Sequence, residues 1–465
     1  MNRRRRNLRR SCTSGEALSS KCRRVFRLHT SCTAPADRSG HHARKDGHGT
    51  RFQPGRAAAG VARRGPAIRR RSSDRCCGCA REHPGPEERF YAIKPFYQQM
   101  VDAGFLKALI PDEYGGAKFS SLAFVLAAEE LARVDINTPT AVLATGLGLA
   151  PIIHFGTPEQ KEKFLRPFTD SEPRLAAFGF TEVTGGANFD SVDPKVGVQT
   201  FAELDGDEWV INGAKHYTTN GSGWNRELPD VLTLVCRTDR DKPPQESLAV
   251  IVVEKGTPGV EITGIIDTIG HRATISPRLE FTNVRVPAAN ILGQPGDGME
   301  IVKTAFSWTC APIGAACVGR MRAAFDYAYE FARTDNRSGP HPVIEYQNAG
   351  YMLADLKIRI EAARYLTWKA ADHFDKTGGK DRELANIVKV FASETSVQVV
   401  YDAMRLVGVD AYTDLTPIAG IMQDVLCFPV YDGGNMGVRR RQLHEMFQNP
   451  TYDPLGPAEN RLSTA

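Results

Sequence analysis

The sequence predicts an α+β chain with an N-terminal α-helical domain, a middle antiparallel β-domain and a C-terminal helical bundle. Three observations predict it. Apolar residues recur at helical spacing from about residue 87 into the 160s. From about 175, short runs rich in Val, Ile, Thr and Phe alternate with turn residues. From Gly298 onward, long Ala-rich helical patterns return. At 465 residues the chain exceeds one compact core. The expected boundaries are a basic tail over 1–85, helices over 86–174, the β-domain over 175–292, the bundle over 293–452 and a tail over 453–465.

Taken in order, Phe90, Ile93, Phe96, Tyr97 and Met100 mark the first helix, which Gly104 ends. Residues 110–116 carry Pro, Asp, Tyr and Gly-Gly, a loop. Residues 121–134 are strong helix formers opened by Ser, and an apolar helix follows over roughly 138–154. Thr157-Pro158-Glu159-Gln160 is an N-cap, a first-turn proline and an acidic first turn. Strands are expected at Leu175–Thr181, Gln199–Asp205, Glu208–Thr219, Asp230–Thr238, Ser247–Glu254 and Arg278–Phe281, with a hairpin at Asp205-Gly206-Asp207. Helical spacing of three and four returns over 319–334, 344–375 and 383–407.

Charge divides the chain. Residues 1–85 hold 20 Arg and 2 Lys against 5 acidic residues, a net of +17; the remainder holds 37 basic and 49 acidic residues, a net of −12. Six cysteines fall in the tail, and only Cys236, Cys310, Cys317 and Cys427 in the body, scattered as buried free thiols of a reducing compartment would be. Cys76-Cys77-Gly78-Cys79 with His83 is half a zinc site at most, so no metal is expected. Charges interrupt the apolar runs every few positions, so no membrane partner is expected. The body has no GxGxxG or Walker loop, which argues against a Rossmann or P-loop site.

Four segments share order and spacing with one family. Phe178-Gly179-Phe180-Thr181-Glu182 with Gly185-Gly186, and Asn212-Gly213-Ala214-Lys215-His216-Tyr217-Thr218-Thr219-Asn220, resemble the two β-domain motifs of acyl-CoA dehydrogenases. Phe281-Thr282-Asn283-Val284-Arg285-Val286-Pro287 resembles the strand closing that domain. Val430-Tyr431-Asp432-Gly433 falls where the family carries an aromatic residue and its catalytic carboxylate. The resemblance covers about residues 87–452 and implies a C-terminal four-helix bundle. It is nearest to the nitroalkane oxidases: Asp432 stands where acyl-CoA dehydrogenases usually carry Glu. The run 431–441 matches throughout, with Arg439 seven residues after Asp432, and Cys310 stands where CoA-using enzymes usually carry arginine.

The resemblance implies FAD, a homotetramer, and oxidation of a nitroalkane to an aldehyde or ketone with release of nitrite and hydrogen peroxide. The partners implied are a small-molecule substrate and oxygen. Asp432 is the expected base and Arg439 the group that orients it. Phe178, Phe180, Thr181, Gly186, Tyr217, Thr219 and Gly434 are expected around the cofactor, Thr219 through a hydroxyl. Arg337 is expected to reach the FAD diphosphate from a second subunit, with Gln347 and Gly408 as weaker carry-overs; Arg405-Leu406-Val407-Gly408-Val409 lacks the family's usual double glycine. Read alone, each residue has a plainer account. An Asp before Gly-Gly is ordinarily a turn residue, Thr219 a strand residue, and Phe178, Phe180 and Tyr217 core aromatics.

Two alternatives accompany this reading. One is an acyl-CoA dehydrogenase with Asp as base, which Cys310 and the acidic body disfavour because CoA phosphates favour a basic rim. The other is nucleic-acid binding through the Arg-rich tail, which nothing in the body supports, so no nucleic-acid partner is expected. The tail itself is read as a targeting leader, a solvated basic tail, or a stretch from a wrong start site or reading frame. The last fits a head without family motifs joined to a body that keeps them. A cytoplasmic location is expected, or a mitochondrial one if the leader is genuine.

Overall fold

The computed structural model describes residues 83–454 other than 118 and 194. The readings of the basic tail, the Cys76–Cys79 cluster and the chain from 455 onward lie outside the described residues.

Helix α1 spans Pro86–Asp102, with proline in its first turn beside Glu87 and Glu88, both favoured at a helix N-terminus. It buries Phe90, Ile93 and Tyr97, and Phe90 stacks on Trp224 with ring centroids 4.5 Å apart. Helix α2 (Ser121–Val134) is capped by Ser120, whose Oγ accepts from the Ala123 N–H at 3.2 Å. Helix α3 spans Asn137–Phe155, and α4 (Pro158–Leu165) opens on a Thr157–Gln160 capping box.

The β-domain is one eight-stranded sheet. Its strands are β1 (Ala176–Gly179), β2 (Phe201–Asp205), β3 (Glu208–Lys215), β4 (Val231–Arg237), β5 (Leu248–Glu254), β6 (Val260–Ile265), β7 (Pro277–Pro287) and β8 (Ile291–Leu292). The order is β6-β7-β3-β2-β4-β5-β8, and β1 pairs with β4. Most pairs are antiparallel, including the β2–β3 hairpin across Gly206, at φ 65°. Strand β4 carries the departures: β1 lies parallel to it along its length, after a connection long enough to cross over, and β2 meets it in parallel at Phe201 and Arg237. Every residue of β4 is buried, whereas β6 alternates at an edge. Strand β6 was not among the expected runs, because Glu261, Thr263 and Gly264 interrupt its apolar residues.

Helices α5 (Gly298–Thr334), α6 (Gln347–Thr377), α7 (Glu383–Val407) and α8 (Ile418–Cys427) form the C-terminal bundle. A π-turn, Asn435–Arg439, leads into α9 (Arg440–Phe447). Helix α5 is the hub: α2, α3, α6, α7 and α8 all pack on it. It begins 21 residues before the strongest helical spacing, at Gly298, and runs through Pro312. Burial around Pro312 outweighs the backbone bond that the proline forgoes. Helices α3 and α5 are long and apolar enough to cross a membrane by length and composition, but 67% and 89% of their apolar windows face the protein's own interior. They are core helices.

Candidate active site

Asp432 sits in a turn that few side chains tolerate. Asp432, Gly433 and Gly434 have φ of 53°, 85° and 55°, three successive left-handed residues. Two are glycines, which take this conformation freely; Asp is among the few other residues that visit it. The turn closes through Gly434 N–H to Tyr431 C=O at 3.2 Å and Asn435 N–H to Pro429 C=O at 2.9 Å.

The Asp432 carboxylate is buried against α5. Thr309 Oγ1 lies 2.9 Å from both of its oxygens, and Arg439 Nη2 donates to Oδ2 at 3.0 Å. The side chains are 5% exposed for Asp432 and 1% for Arg439. Arg439 also donates to the Asp432 carbonyl from Nε (3.2 Å) and Nη2 (2.9 Å), to Phe306 C=O (3.1 Å) and to Asn386 Oδ1 (3.3 Å). One guanidinium thereby ties the turn to α5 and α7 and neutralises the carboxylate. Cys310 contributes no charge: burial pushes its thiol up to about 11, and its Sγ donates to Phe306 C=O at 3.2 Å.

Phe306 joins this pair to the β-domain. Its ring lies edge-on to Phe178 and Phe180, at 5.5 and 5.0 Å, and the Arg439 guanidinium lies 5.7 Å from its centre. Phe178 and Phe180 are parallel at 6.0 Å and both buried. Beyond them the two β-domain motifs lock together, with His216 N–H donating to Thr181 C=O at 2.7 Å. Lys215 Nζ, fully buried, donates to Phe180 C=O (3.1 Å) and Glu182 Oε1 (2.7 Å). Burial pushes the Glu182 carboxyl up, but Lys215 and the backbone amides of Thr200 and Gln199 outweigh it and hold it below the usual carboxylate range.

Tyr217 and Thr219 follow Lys215. Tyr217 takes φ 57° and turns its ring outward, 56% exposed; Thr219 is partly buried. The neighbouring Thr218 hydroxyl is buried without a hydrogen-bond partner. At Gly186 a Cβ would lie 2.7 Å from the Phe180 ring and 3.2 Å from Thr181 Oγ1, so only bare backbone fits beside that ring. The same loop meets the π-turn and α9: Arg441 bonds Asp190 (2.8 Å) and Ala187 C=O (3.0 Å), and a Cβ on Gly437 would sit 2.7 Å from Ala187 Cβ. Phe178, Phe180, Thr181, Gly186, Gly434, Asp432 and Arg439 are thus joined by one chain of contacts, and Tyr217 and Thr219 follow His216 at its β-domain end.

Arg337, Gln347 and Gly408 lie elsewhere. Arg337 is half-exposed and paired within its own chain to Asp335 (2.8 Å) and Asp410 (2.7 Å). Gln347 opens α6 and donates to Tyr351 Oη. Gly408 follows α7 at φ 84° with open space around it. No sequence signal marks Thr309, one of several hydroxyls in an apolar helix, or Asn386 and Lys389 behind the turn. Their roles depend on which turn of α5 or α7 faces residue 432.

Profiles of the acyl-CoA dehydrogenase N-terminal, middle and C-terminal domains match residues 78–172, 177–284 and 296–447. The chain is 38% identical to the nitroalkane oxidase of Podospora anserina over 387 residues, covering 80% of this chain and 89% of that one. The solved structure of that oxidase superposes with a TM-score of 0.83 over 88% of this chain and 99% of its own. The Fusarium oxysporum nitroalkane oxidase is 36% identical, covering 79% and 88%. Butyryl-CoA dehydrogenase of Megasphaera elsdenii superposes at 0.73 with 28% identity, over 85% of this chain and all of its own. This chain belongs to the acyl-CoA dehydrogenase family, in its nitroalkane oxidase branch.

Proposed function

We propose that this chain is an FAD-dependent nitroalkane oxidase in which Asp432 removes the proton beside the nitro group. The observation that carries the proposal is the buried Asp432 carboxylate, neutralised by Arg439 and bonded by Thr309, with Cys310 where CoA-using enzymes usually carry arginine.

The residues present fit FAD. An exposed aromatic ring at Tyr217, an unpartnered Thr218 hydroxyl and the bare backbone beside Gly186 offer stacking surface and hydrogen-bonding groups. Phe178, Phe180, Thr181, Gly186, Tyr217, Thr219 and Gly434 would hold the near part of the cofactor. Arg337, Gln347 and Gly408 would belong to the site of a neighbouring subunit. When bound, FAD supplies the sink for the two electrons of the oxidation.

The rest falls to the protein. A nitro group acidifies the adjacent carbon, so a carboxylate in a dry pocket suffices as base. Arg439 offsets the charge of the Asp432 carboxylate and, with Thr309, fixes its direction before transfer. Asp is one methylene shorter than Glu, which sets the carboxylate back by roughly one C–C bond and selects a different carbon. Overall, nitroalkane, oxygen and water yield the carbonyl compound, nitrite, hydrogen peroxide and a proton.

Homotetramer formation is part of the proposal. Tyr351, Ile358 and Tyr365 repeat every seven residues along one exposed face of α6, and such an apolar stripe favours helix association. Light scattering at four times the 51.1 kDa chain mass is the expected result. For the chemistry, the purified flavoprotein is given nitroethane in air. One nitrite and one hydrogen peroxide per acetaldehyde are expected; flavin turnover without nitrite would refute the proposal.

A further inference from the structure

Behind the Asp432 turn lies a fully buried lysine. Lys389, on α7, has no exposed surface, and none of its bonds goes to a carboxylate. Its Nζ donates to Phe428 C=O at 2.7 Å, before the turn, and to Asn435 Oδ1 at 3.3 Å, just after it. Asn435 in turn donates to Ser393 Oγ (2.9 Å) and Glu394 Oε1 (3.1 Å), one helical turn further along α7. The ammonium also lies 5.7 Å from the Tyr431 ring. It therefore spans the base of a segment whose middle three residues are left-handed, one of them an Asp.

A buried ammonium with only neutral partners is costly, and an apolar side chain of similar length would fill the space without that cost. Its neighbours show what the charge acts on. Asp432 and Arg439 face it from the turn, Cys310 and Cys317 from α5, and Glu394 from α7 itself. The pocket thus sets two cations against one catalytic carboxylate. That excess persists when Asp432 accepts a proton and negative charge moves to the substrate.

We propose that Lys389 is a positioning residue for proton abstraction: its ammonium clasps both ends of the Asp432 turn and supplies the second positive charge beneath the reacting groups. The inference rests on the nitroalkane reading. Burial pushes Lys389 down to about 8, against the opposing pull of Asp432. The charge is therefore present below that pH and lost above it, while a neutral amine keeps N–H donors only.

The test uses the FAD-loaded enzyme and the variants Lys389→Met, Lys389→Arg and Asn435→Ala. It compares neutral nitroethane, which needs a base, with preformed ethyl nitronate, which does not. Lys389→Met is expected to lower kcat/KM for nitroethane by about 10- to 100-fold, the loss of one or two charge-assisted hydrogen bonds, and to change nitronate oxidation less than about threefold. Lys389→Arg should restore part of the loss, and Asn435→Ala should show a smaller loss with the same selectivity. Nitroethane activity of the wild type should fall above pH about 8, and that limb should vanish in Lys389→Met. Equal losses on both substrates, or none on either, would overturn the proposal. Hydrogen–deuterium exchange supplies a readout free of substrate: segment 428–439 should exchange faster in both the Met and Ala variants, and unchanged exchange refutes the clasp. A wild type inert toward nitroethane would sink the nitroalkane reading, whereas the exchange result bears on the clasp alone.

Discussion

Replacing Arg439 by Met tests the geometry of the site in one step. Arg439 and Asp432 are 1% and 5% exposed and bonded at 3.0 Å, so the substitution leaves a buried carboxylate with no cation in contact. Removing one partner of a buried pair costs about 3–5 kcal/mol. The carboxylate left behind loses the guanidinium that offsets its charge and fixes its direction, so it is poorly placed to take the substrate's proton. At about 1.4 kcal/mol per tenfold, a loss of that size in proton abstraction is about two to three and a half orders of magnitude. Turnover of neutral nitroethane at pH 7 should fall by that factor, whereas preformed nitronate should be oxidised within about tenfold of the wild-type rate, since no proton is removed. The assay is stopped-flow flavin reduction with each substrate. A loss below tenfold on nitroethane, or an equal loss on nitronate, would refute this, because either means that Arg439 does not act through Asp432 on proton removal.

Other expectations follow from the same contacts. Lys215→Met leaves Glu182 buried and unpaired, and should lower stability by about 3–5 kcal/mol, read as a drop in Tm with loss of bound FAD. Glu182 lies below its ordinary value when folded, so its contribution is present above about pH 4.5 and lost as pH falls through the folded value; acid unfolding should be steeper in wild type than in Lys215→Met. Lys389 moves oppositely. Its charged form burdens the folded state by about 3 kcal/mol below pH 8, and the burden lifts between about 8 and 10.5, so wild type should gain stability there relative to Lys389→Met in denaturant titrations. Gly186→Ala sets a methyl 2.7 Å from the Phe180 ring and should cost about 1–3 kcal/mol of overpacking. Its signature is weaker FAD retention on gel filtration; unchanged retention would mean that the loop does not touch the cofactor.

Much of the architecture was legible because the chain changes its period at the domain borders. Phe90, Ile93 and Tyr97 announce a helix by spacing, and all three are fully buried. The β2–β3 hairpin follows from Asp205-Gly206-Asp207, where Gly206 takes the left-handed position the turn needs. Strand β6 was illegible because an edge strand with Glu, Thr and Gly carries a weak signal. The parallel pairing of β1 could not be read at all, since pairing partners are distant in sequence.

The site divides the same way. Residues such as Asp432 and Tyr217 were found only through the family motifs they sit in, and what makes Asp432 distinctive is its surroundings. Thr309 is 123 positions away and Asn386, which holds Arg439, 53 away from that arginine. Lys389, within Ile387-Val388-Lys389-Val390-Phe391, has the pattern of a solvated charge on a core helix; only the folded chain shows it sealed beneath the turn.

The central claim is that this carboxylate serves a nitroalkane. The most direct measurement mixes the FAD-loaded enzyme anaerobically with nitroethane or with a medium-chain acyl-CoA and follows the flavin absorbance. Bleaching by nitroethane, no bleaching by acyl-CoA, and loss of the nitroethane response in Asp432→Asn with the nitronate response retained are expected. Bleaching by acyl-CoA alone would contradict it.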